Sequence, residues 1–308
     1  MRAPFRMPAE QKGAYVEWHG RRALVTGASG FIGAHLVRRL TELGADVHGV
    51  SRTGSGHDLR DPRAVDGLFA AVRPEVVFHL ASEVNGARDV SVVGPTLEGN
   101  LRTTVNVLTA AAGSGCRVVL AGSSEEPRPG NGHSPPPSPY AMAKAAATGY
   151  AELYHRLWNV PYTIVRPTMV YGPGQRDIGK LVPYVTLALI SGEQPRLTSG
   201  SKLVDWVYVD DVVEAFALAG LSERAVGQAF DVGTGRTASV RQVVELLYRI
   251  GAVEDSPPFG DVPDRPLDVP QAADPGPALE LTGWRPRIEL EDGMRRTYAW
   301  YADQARIL

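Results

Sequence analysis

The chain has 308 residues, 44% of them hydrophobic, and a formal net charge of −2. That length suits one large core or two modest domains, and the charge gives no electrostatic basis for binding nucleic acid or an acidic membrane. No apolar run could span a bilayer. A single cysteine, Cys116, excludes an internal disulfide, and the N-terminus lacks an uninterrupted apolar signal core, so we expect a cytoplasmic protein. Residues 1–20 predict a disordered or loosely docked tail.

The first predicted elements are a buried strand, a glycine turn and a helix. Arg22–Thr26 predicts the strand, and apolar residues at helical spacing run on to Gly44. Glycines at the intervening turn let a pyrophosphate approach the free N–H groups of a helix N-terminus. A tight turn without a ligand is the alternative, but the order of elements favours a dinucleotide site. Its predicted residues are Gly27, Ser29, Gly30, Phe31, Ile32 and Gly33.

The second predicted strand, Asp46–Val50, ends in Ser51 and Arg52. NAD sites usually place a carboxylate about 20 residues after the glycines to hold the ribose 2′-hydroxyl. Here an arginine occupies that place, and a guanidinium suits a 2′-phosphate. NADP(H) is therefore favoured, with NAD possible and a solvated surface arginine as the alternative. Asp58 and Leu59 follow and could meet the adenine edge, although a polar loop aspartate explains Asp58 almost as well.

Further short strands alternate with helical stripes. Glu75–Leu80, Arg117–Ala121 and Tyr162–Arg166 predict strands of a parallel sheet covered by helices, with ligands outside the carboxyl ends of the strands. Asn100 opens the helix before the Arg117 strand, where it is an ordinary N-cap or, as the family resemblance described below implies, a residue near the active site. The other residues expected near the cofactor or substrate at these strand ends are Leu80, Ala81, Ser82, Ser124, Glu125, Glu126 and Arg166.

Tyr140 and Lys144 stand four residues apart after this sheet. Residues at that spacing share a helix face, so the phenol and the ammonium can point in one direction. The lysine charge favours the phenolate, which makes the tyrosine useful as an acid or base near neutral pH. An amphipathic helix with an exposed lysine is the alternative. Histidines lack the spacing of metal ligands, so no metal site is predicted.

Several motifs together resemble the extended short-chain dehydrogenase/reductase family, and within it the NAD(P)-dependent epimerase/dehydratase branch that acts on nucleotide sugars. The resemblance covers nearly everything from residue 21 onwards. Its motifs are Thr26-Gly-Ala-Ser-Gly-Phe-Ile-Gly33, His79-Leu-Ala81, Ser123-Ser124, Tyr140-x-x-x-Lys144, Arg166-Pro167, Val170-Tyr-Gly-Pro-Gly174, Asp205-Trp-Val-Tyr-Val-Asp-Asp211, Phe230-Asp-Val-Gly233 and Gly283-Trp284-x-Pro286.

This resemblance implies an α/β protein with a doubly wound parallel sheet (Rossmann) and a smaller C-terminal substrate-binding lobe. The dinucleotide-binding domain would span 21–167 and the lobe mainly 168–308, with segments at about 203–235 returning to the first domain. Tyr140 would exchange a proton with the substrate, Lys144 would bind the nicotinamide ribose, and Ser124 would hydrogen-bond the reacting sugar oxygen. Relatives commonly form homodimers through two helices, one of which carries the Tyr140 region.

The reaction depends on Glu125 and Glu126, which could supply the acid and base of a 4,6-dehydratase. The same stretch resembles 4-ketoreductases, and a net reductase must exchange its cofactor, usually NADPH. With Arg52, this favours an NADPH-dependent 4-ketoreductase acting on a nucleotide-linked 4-keto-6-deoxyhexose. The alternatives are a 4,6-dehydratase or 4-epimerase with tightly bound NAD, and a non-catalytic NADP(H)-binding sensor, although a sensor has no need of the Ser124, Tyr140 and Lys144 set.

Two departures from the family pattern concern the substrate. A proline-rich loop follows Glu126 in place of the usual tyrosine-glycine, and Val204 stands where many relatives carry an arginine that clamps the diphosphate. Arg265 is the candidate replacement, with a surface arginine as the alternative. The acidic pair Asp210-Asp211 is interpreted as a helix start, where acids meet the positive end of the helix dipole.

Overall fold

The computed structural model describes residues 17–52, 56–127, 136–264 and 272–306. Arg265 and most of the predicted tail lie outside this part of the chain. In chain order the strands are β1 (Arg22–Thr26), β2 (Asp46–Val50), β3 (Val76–His79), β4 (Arg117–Ala121), β5 (Tyr162–Pro167), β6 (Met169–Tyr171), β7 (Leu203–Tyr208), β8 (Gln228–Val232) and β9 (Thr237–Ser239).

Nine longer helices lie among the described residues, and the first three of them match the predicted apolar stripes. They are α1 (Phe31–Glu42), α2 (Pro62–Val72), α3 (Thr103–Ser114), α4 (Pro139–Trp158), α5 (Leu181–Ile190), α6 (Val209–Leu221), α7 (Val240–Ile250), α8 (Gly276–Thr282) and α9 (Leu290–Ala305). Among the described residues, no helix is both apolar enough and long enough to cross a membrane.

Six strands form the main sheet in the order β2-β1-β3-β4-β5-β8. Neighbours from β2 to β5 pair in parallel, as the alternation of strands and helices predicts. β2 lies on one side of β1 and β3 lies on the other, so the strand order reverses direction at β1. Ligands of doubly wound sheets bind beyond the carboxyl ends of the strands at such a reversal. The Rossmann fold class is confirmed.

The described residues divide into two compact units. The first takes those within Met1–Gly122, Glu126–Val165 and Ala215–Ala229; the second takes those within Ser123–Glu125, Arg166–Glu214 and Phe230–Leu308. The second unit contains a small sheet in the order β6-β7-β9, with β6 parallel and β9 antiparallel to β7. The expected return at about 203–235 thus differs from the structure, in which the first unit takes only the stretch 215–229 and β7 stays in the second.

The predicted tail ends too late. Trp18 is fully buried, with its ring centroid 5.7 Å from that of Phe78 on β3. The N–H of Gly20 donates to the carbonyl of Gly44 at 2.8 Å, which ties this segment to the end of α1. An indole buried in this way removes a large apolar surface from water, and residues 17–20 therefore belong to the first unit.

Candidate active site

The glycine turn after β1 folds as predicted. Gly27 has φ +70°, and a Cβ there would lie 2.7 Å from the backbone nitrogen of Ala81. A Cβ on Gly33 would lie 2.1 Å from the carbonyl oxygen of Gly27. These positions accept only glycine, because the turn packs against both the first turn of α1 and the chain beyond β3. The six predicted turn residues are therefore in one place.

The N-terminus of α1 suits an anion. Its N-cap is Gly30, which supplies no side-chain hydrogen bond, and its first turn contains no acidic residue. The first N–H groups of a helix have no partner within the helix, and the helix dipole adds partial positive charge there. A narrow, glycine-lined turn opening onto such a terminus fits the pyrophosphate of a dinucleotide.

The end of β2 presents a mixed cluster of charges. Arg52 is exposed, and both carboxylate oxygens of Asp58 accept hydrogen bonds from the guanidinium of Arg60, at 2.7 to 3.1 Å. That hydrogen bonding lowers the pKa of Asp58 to about 2. Leu59 is buried in the core, and its carbonyl accepts from Asn106. The predicted adenine contacts at Asp58 and Leu59 therefore remain predictions, with Asp58 already engaged by Arg60.

Beyond β3 a buried hydroxyl–imidazole chain supports the strand end. Thr26 Oγ1 accepts the N–H of Ala81 at 3.2 Å and lies 2.8 Å from His79 Nδ1. Thr103 Oγ1, 3.5 Å from His79 Nε2, donates to the Gly99 carbonyl at 2.8 Å. These bonds fit a neutral imidazole with its proton on Nε2. Burial, followed by the charge of Lys144, lowers the pKa of His79 to about 3.

Asn100 is neither an exposed residue nor an N-cap. It lies in a π-helical turn, Leu97–Arg102, that leads into α3. Its side-chain oxygen accepts from Ser82 Oγ at 2.9 Å and from the N–H of Glu83 at 2.6 Å, while its amide donates to the Glu83 carbonyl. The N-cap alternative is therefore wrong. The Asn100 side chain holds the loop after β3, which contains three residues expected near the cofactor or substrate: Leu80, Ala81 and Ser82.

Tyr140 and Lys144 lie in the first turns of α4. Ser138 caps this helix, with its side chain accepting from the N–H of Ala141 at 3.1 Å, and Pro139 occupies the first helical position. Lys144 Nζ lies 5.8 Å from the centroid of the Tyr140 ring and donates to the Ala121 carbonyl at 2.7 Å. The predicted pair therefore shares one helix face beside the end of β4.

Burial decides the state of the lysine. Lys144 is 7% exposed, and the loss of hydration lowers its pKa to about 8, with the charge of Glu126 acting in the opposite direction. Glu126 is itself 2% exposed and accepts from Thr148 Oγ1 at 2.6 Å. Thr148 follows Lys144 by four residues, so both side chains belong to one face of α4. No local pattern in the sequence connects Glu126 with this helix.

The second unit holds the remaining candidates. The N–H of Ser124 donates to the Pro167 carbonyl at 3.3 Å, and Ser123 Oγ accepts from the N–H of Glu125 at 3.1 Å. Ser124 is half-buried, whereas Glu125 is exposed. Arg166 lies near the end of β5, as predicted.

The second unit also contains Val204 and the acidic pair Asp210-Asp211. Val204 is buried on β7, paired with Ala238. Asp210 and Asp211 lie in the first turn of α6, and Asp211 accepts the N–H groups of Arg287 and Ile288 at 3.0 Å each. The acidic pair thus starts a helix, as predicted, and Asp211 also fastens the segment before α9. Among the described residues, no group of three or more potential ligands could hold a metal ion.

Asp205 has a structural role that its position in the sequence did not predict. Asp205 is buried and accepts from the N–H groups of Thr234, Gly235 and Ala273, at 2.8 to 3.0 Å. It therefore joins two loop segments of the second unit, one at Thr234 and Gly235 and the other at Ala273. A carboxylate within a strand-like run does not identify donors that lie 29 to 68 residues away.

Residues 23–233 match the model of the NAD dependent epimerase/dehydratase family. The chain belongs to this family. It is 33% identical to a UDP-glucose 4-epimerase of Mycolicibacterium smegmatis, over 92% of this chain and all of the relative. It is 31% identical to a dTDP-glucose 4,6-dehydratase of an Actinoplanes species, over 91% of this chain and 97% of the relative.

Two solved structures, of a 4-epimerase and of a 4,6-dehydratase, are similar to this chain over most of its length. A UDP-glucose 4-epimerase from Thermotoga maritima, determined with UDP-glucose, is similar with a TM-score of 0.84 and 29% identity, over 92% of this chain and 99% of that one. DesIV, a dTDP-glucose 4,6-dehydratase from Streptomyces venezuelae determined with NAD, has a TM-score of 0.83 and 26% identity, over 93% and 98%. The family description names NAD as the cofactor, while the expected NADP(H) preference rests on Arg52 alone.

Proposed function

We propose that the protein is a nucleotide-sugar 4-epimerase that retains its nicotinamide cofactor through each turnover. The observation that carries the proposal is the similarity to the Mycolicibacterium epimerase over its entire length. The relatives favour this alternative over the 4-ketoreductase that the sequence led us to expect, because relatives similar over nearly their whole length are named as epimerases and dehydratases.

The residues present support oxidation and re-reduction at one sugar carbon. A bound nicotinamide supplies the acceptor and donor of hydride. Tyr140 would take the proton of the sugar 4-hydroxyl and later return it, with the Lys144 ammonium favouring the phenolate. Ser124 would hydrogen-bond the same oxygen. Inversion then requires only that the ketone present its other face before hydride returns.

The position of Glu126 counts against a 4,6-dehydratase. Elimination of water across C5 and C6 needs a base that reaches the sugar. Glu126 is buried and bonded to Thr148 on α4, which leaves the exposed Glu125 as the other carboxylate of this stretch. Epimerisation needs neither carboxylate.

A second candidate is the NADPH-dependent 4-ketoreductase on a nucleotide-linked 4-keto-6-deoxyhexose. Arg52 supports it, because an exposed guanidinium at the end of β2 suits the 2′-phosphate of an exchangeable NADPH. In that reaction Tyr140 would deliver a proton to the C4 oxygen.

One incubation separates the two reactions. UDP-glucose, UDP-galactose and dTDP-glucose are each supplied with a catalytic amount of NAD or NADP, and a nucleotide-linked 4-keto-6-deoxyhexose is supplied in parallel with stoichiometric NADPH. The sugar proton resonances are followed by NMR and the nicotinamide by its absorbance. The proposal expects interconversion of the two C4 configurations with no net change in nicotinamide absorbance. Turnover confined to 4-keto sugars, with one NADPH oxidised per sugar, would replace it by the ketoreductase.

We also propose a homodimer formed through α4. This helix exposes Met142, Leu153 and Leu157 at 54, 40 and 56%. Val93 and Leu97, in the helical residues 93–102 that precede α3, are exposed as well. Apolar side chains grouped in this way favour contact with a second copy. Light scattering should give the mass of a dimer, and Leu153→Glu with Leu157→Glu should give a monomer, whereas Leu279→Glu on α8 should not. A monomeric parent protein would exclude this interface.

A further inference from the structure

The geometry around α4 points to a role for Glu126 that its place in the sequence does not suggest. We propose that Glu126 is a positioning residue: its carboxylate, held by Thr148, is the buried counter-charge that keeps the Lys144 ammonium charged and in place. This inference rests on the proposed function only in that Lys144 lies at the cofactor site. It does not depend on which sugar reaction follows.

The first observation is the burial of both charges. Glu126 is 2% exposed and Lys144 is 7% exposed. Removing an ion from water costs several kcal/mol unless an opposite charge and hydrogen bonds compensate. Two buried ions of opposite sign beside one helix therefore stabilise each other, and losing either charge would leave the other uncompensated.

The second observation is the way in which the carboxylate is held. Thr148 Oγ1 donates to Glu126 Oε2 at 2.6 Å, within the range of strong hydroxyl–carboxylate bonds. Thr148 lies one turn beyond Lys144 on α4, so the helix sets the spacing between the hydroxyl and the ammonium. Lys144 Nζ in turn donates to the Ala121 carbonyl at 2.7 Å. The ammonium is thus held in place by its hydrogen bond to the Ala121 carbonyl and is favoured by the negative charge of Glu126.

Other ionisable groups around Lys144 do not supply this charge. His79 on β3 is buried and neutral, and Tyr140 lies on α4 itself. The helical stretch packed against α4 carries Glu98 and Arg102, which pair with each other at 2.8 Å with exposed side chains. Among the groups that affect the pKa of Lys144, Glu126 is the one that raises it against the effect of burial.

A consequence is that cofactor binding depends on pH through this pair. An ammonium favours binding to the ribose hydroxyls because it donates hydrogen bonds, and the neutral amine donates fewer. Wild-type affinity should therefore fall as pH rises through the pKa of Lys144, about 8. Removing the charge of Glu126 should move that fall to lower pH by about one unit, the usual effect of losing a nearby opposite charge.

The test compares Glu126→Gln and Thr148→Val with wild type. Glutamine keeps the shape and an acceptor for Thr148 but removes the charge; valine keeps the shape but removes the hydroxyl. Glu152→Gln, an exposed glutamate on the same helix, is the matched control. Binding of NAD and NADP, measured by quenching of tryptophan fluorescence without any sugar, is titrated from pH 6 to 10, and circular dichroism verifies folding.

We expect the alkaline fall in affinity to move down by about one pH unit in Glu126→Gln, to move less in Thr148→Val, and to stay in place in Glu152→Gln. A wild-type profile in folded Glu126→Gln would overturn the proposal. So would unchanged binding at every pH accompanied by loss of sugar turnover, because the carboxylate would then act on the substrate. Neither result depends on whether the enzyme proves to be an epimerase or a reductase.

Discussion

At the scale of single residues, the pair Tyr140 and Lys144 shows what spacing can and cannot predict. Their four-residue separation and the capped start of α4 were sufficient to place both on one helix face, and the structure has them there. The burial of Lys144 was not predictable, because Ala121 and Glu126, which surround it, come from a separate strand and loop. Local periodicity contains no information about such contacts.

The tyrosine gives the sharpest single substitution. Tyr140→Phe removes the hydroxyl while keeping the ring beside Lys144, so turnover should fall about 10²- to 10⁴-fold, the usual contribution of a positioned acid or base. Cofactor affinity should change little. Tyr150→Phe, almost three turns along the same helix, is the control and should retain activity. Steady-state kinetics with cofactor titration measures both quantities, and full activity in Tyr140→Phe would remove the residue from the mechanism.

At the scale of elements, the segment formed by β1, the glycine turn and α1 was predictable almost completely from the sequence. Each of its signals is local: an apolar run, closely spaced glycines and a helical stripe ending at Gly44. The π-helical turn with Asn100 was not predictable, because its conformation is tied to hydrogen bonds with the loop after β3, about 17 residues earlier in the chain.

The glycine turn should respond to a single methyl group. In Gly33→Ala the new Cβ would lie 2.1 Å from the Gly27 carbonyl oxygen, so the turn must shift and cofactor affinity should fall at least tenfold. Gly67→Ala, in the exposed middle of α2 with no atom near its Cβ, should instead add about 1 kcal/mol of stability. Cofactor titration and chemical denaturation test the two variants. Normal affinity in Gly33→Ala would contradict the packing described.

At the scale of the whole molecule, the alternation of strands and helices predicted the parallel sheet formed by β1 to β5, but the division of the chain into two units differs from the predicted domains. The second unit contains β7 and takes Ser123–Glu125 from the middle of the chain. Contacts such as those of Asp205 with residues 29 to 68 positions away create this division, and no local pattern indicates them.

Stability should depend on pH through His79. Its pKa is about 3 in the folded protein against an ordinary 6.5, so the unfolded chain binds a proton that the folded one does not. The stabilisation is complete above pH 6.5 and is lost as pH falls towards 3, at about 1.4 kcal/mol per pH unit. Between pH 6.5 and 5, wild type should lose about 2 kcal/mol more than His79→Asn, whose amide oxygen stands in for Nδ1. Urea unfolding at the two pH values measures this, and an equal loss of unfolding free energy in the two proteins would contradict the prediction.

The central claim is that hydride leaves C4 of a nucleotide sugar and returns to the same carbon, with Tyr140 handling the proton. Nucleotide sugar carrying deuterium at C4 tests it directly when the enzyme is supplied with unlabelled cofactor and the products are examined by NMR and mass spectrometry. We predict that deuterium remains at C4 in both C4 configurations. Its appearance at C6 would indicate a dehydratase, and its loss to a pool of free nicotinamide would indicate a net oxidoreductase; either result would contradict the account.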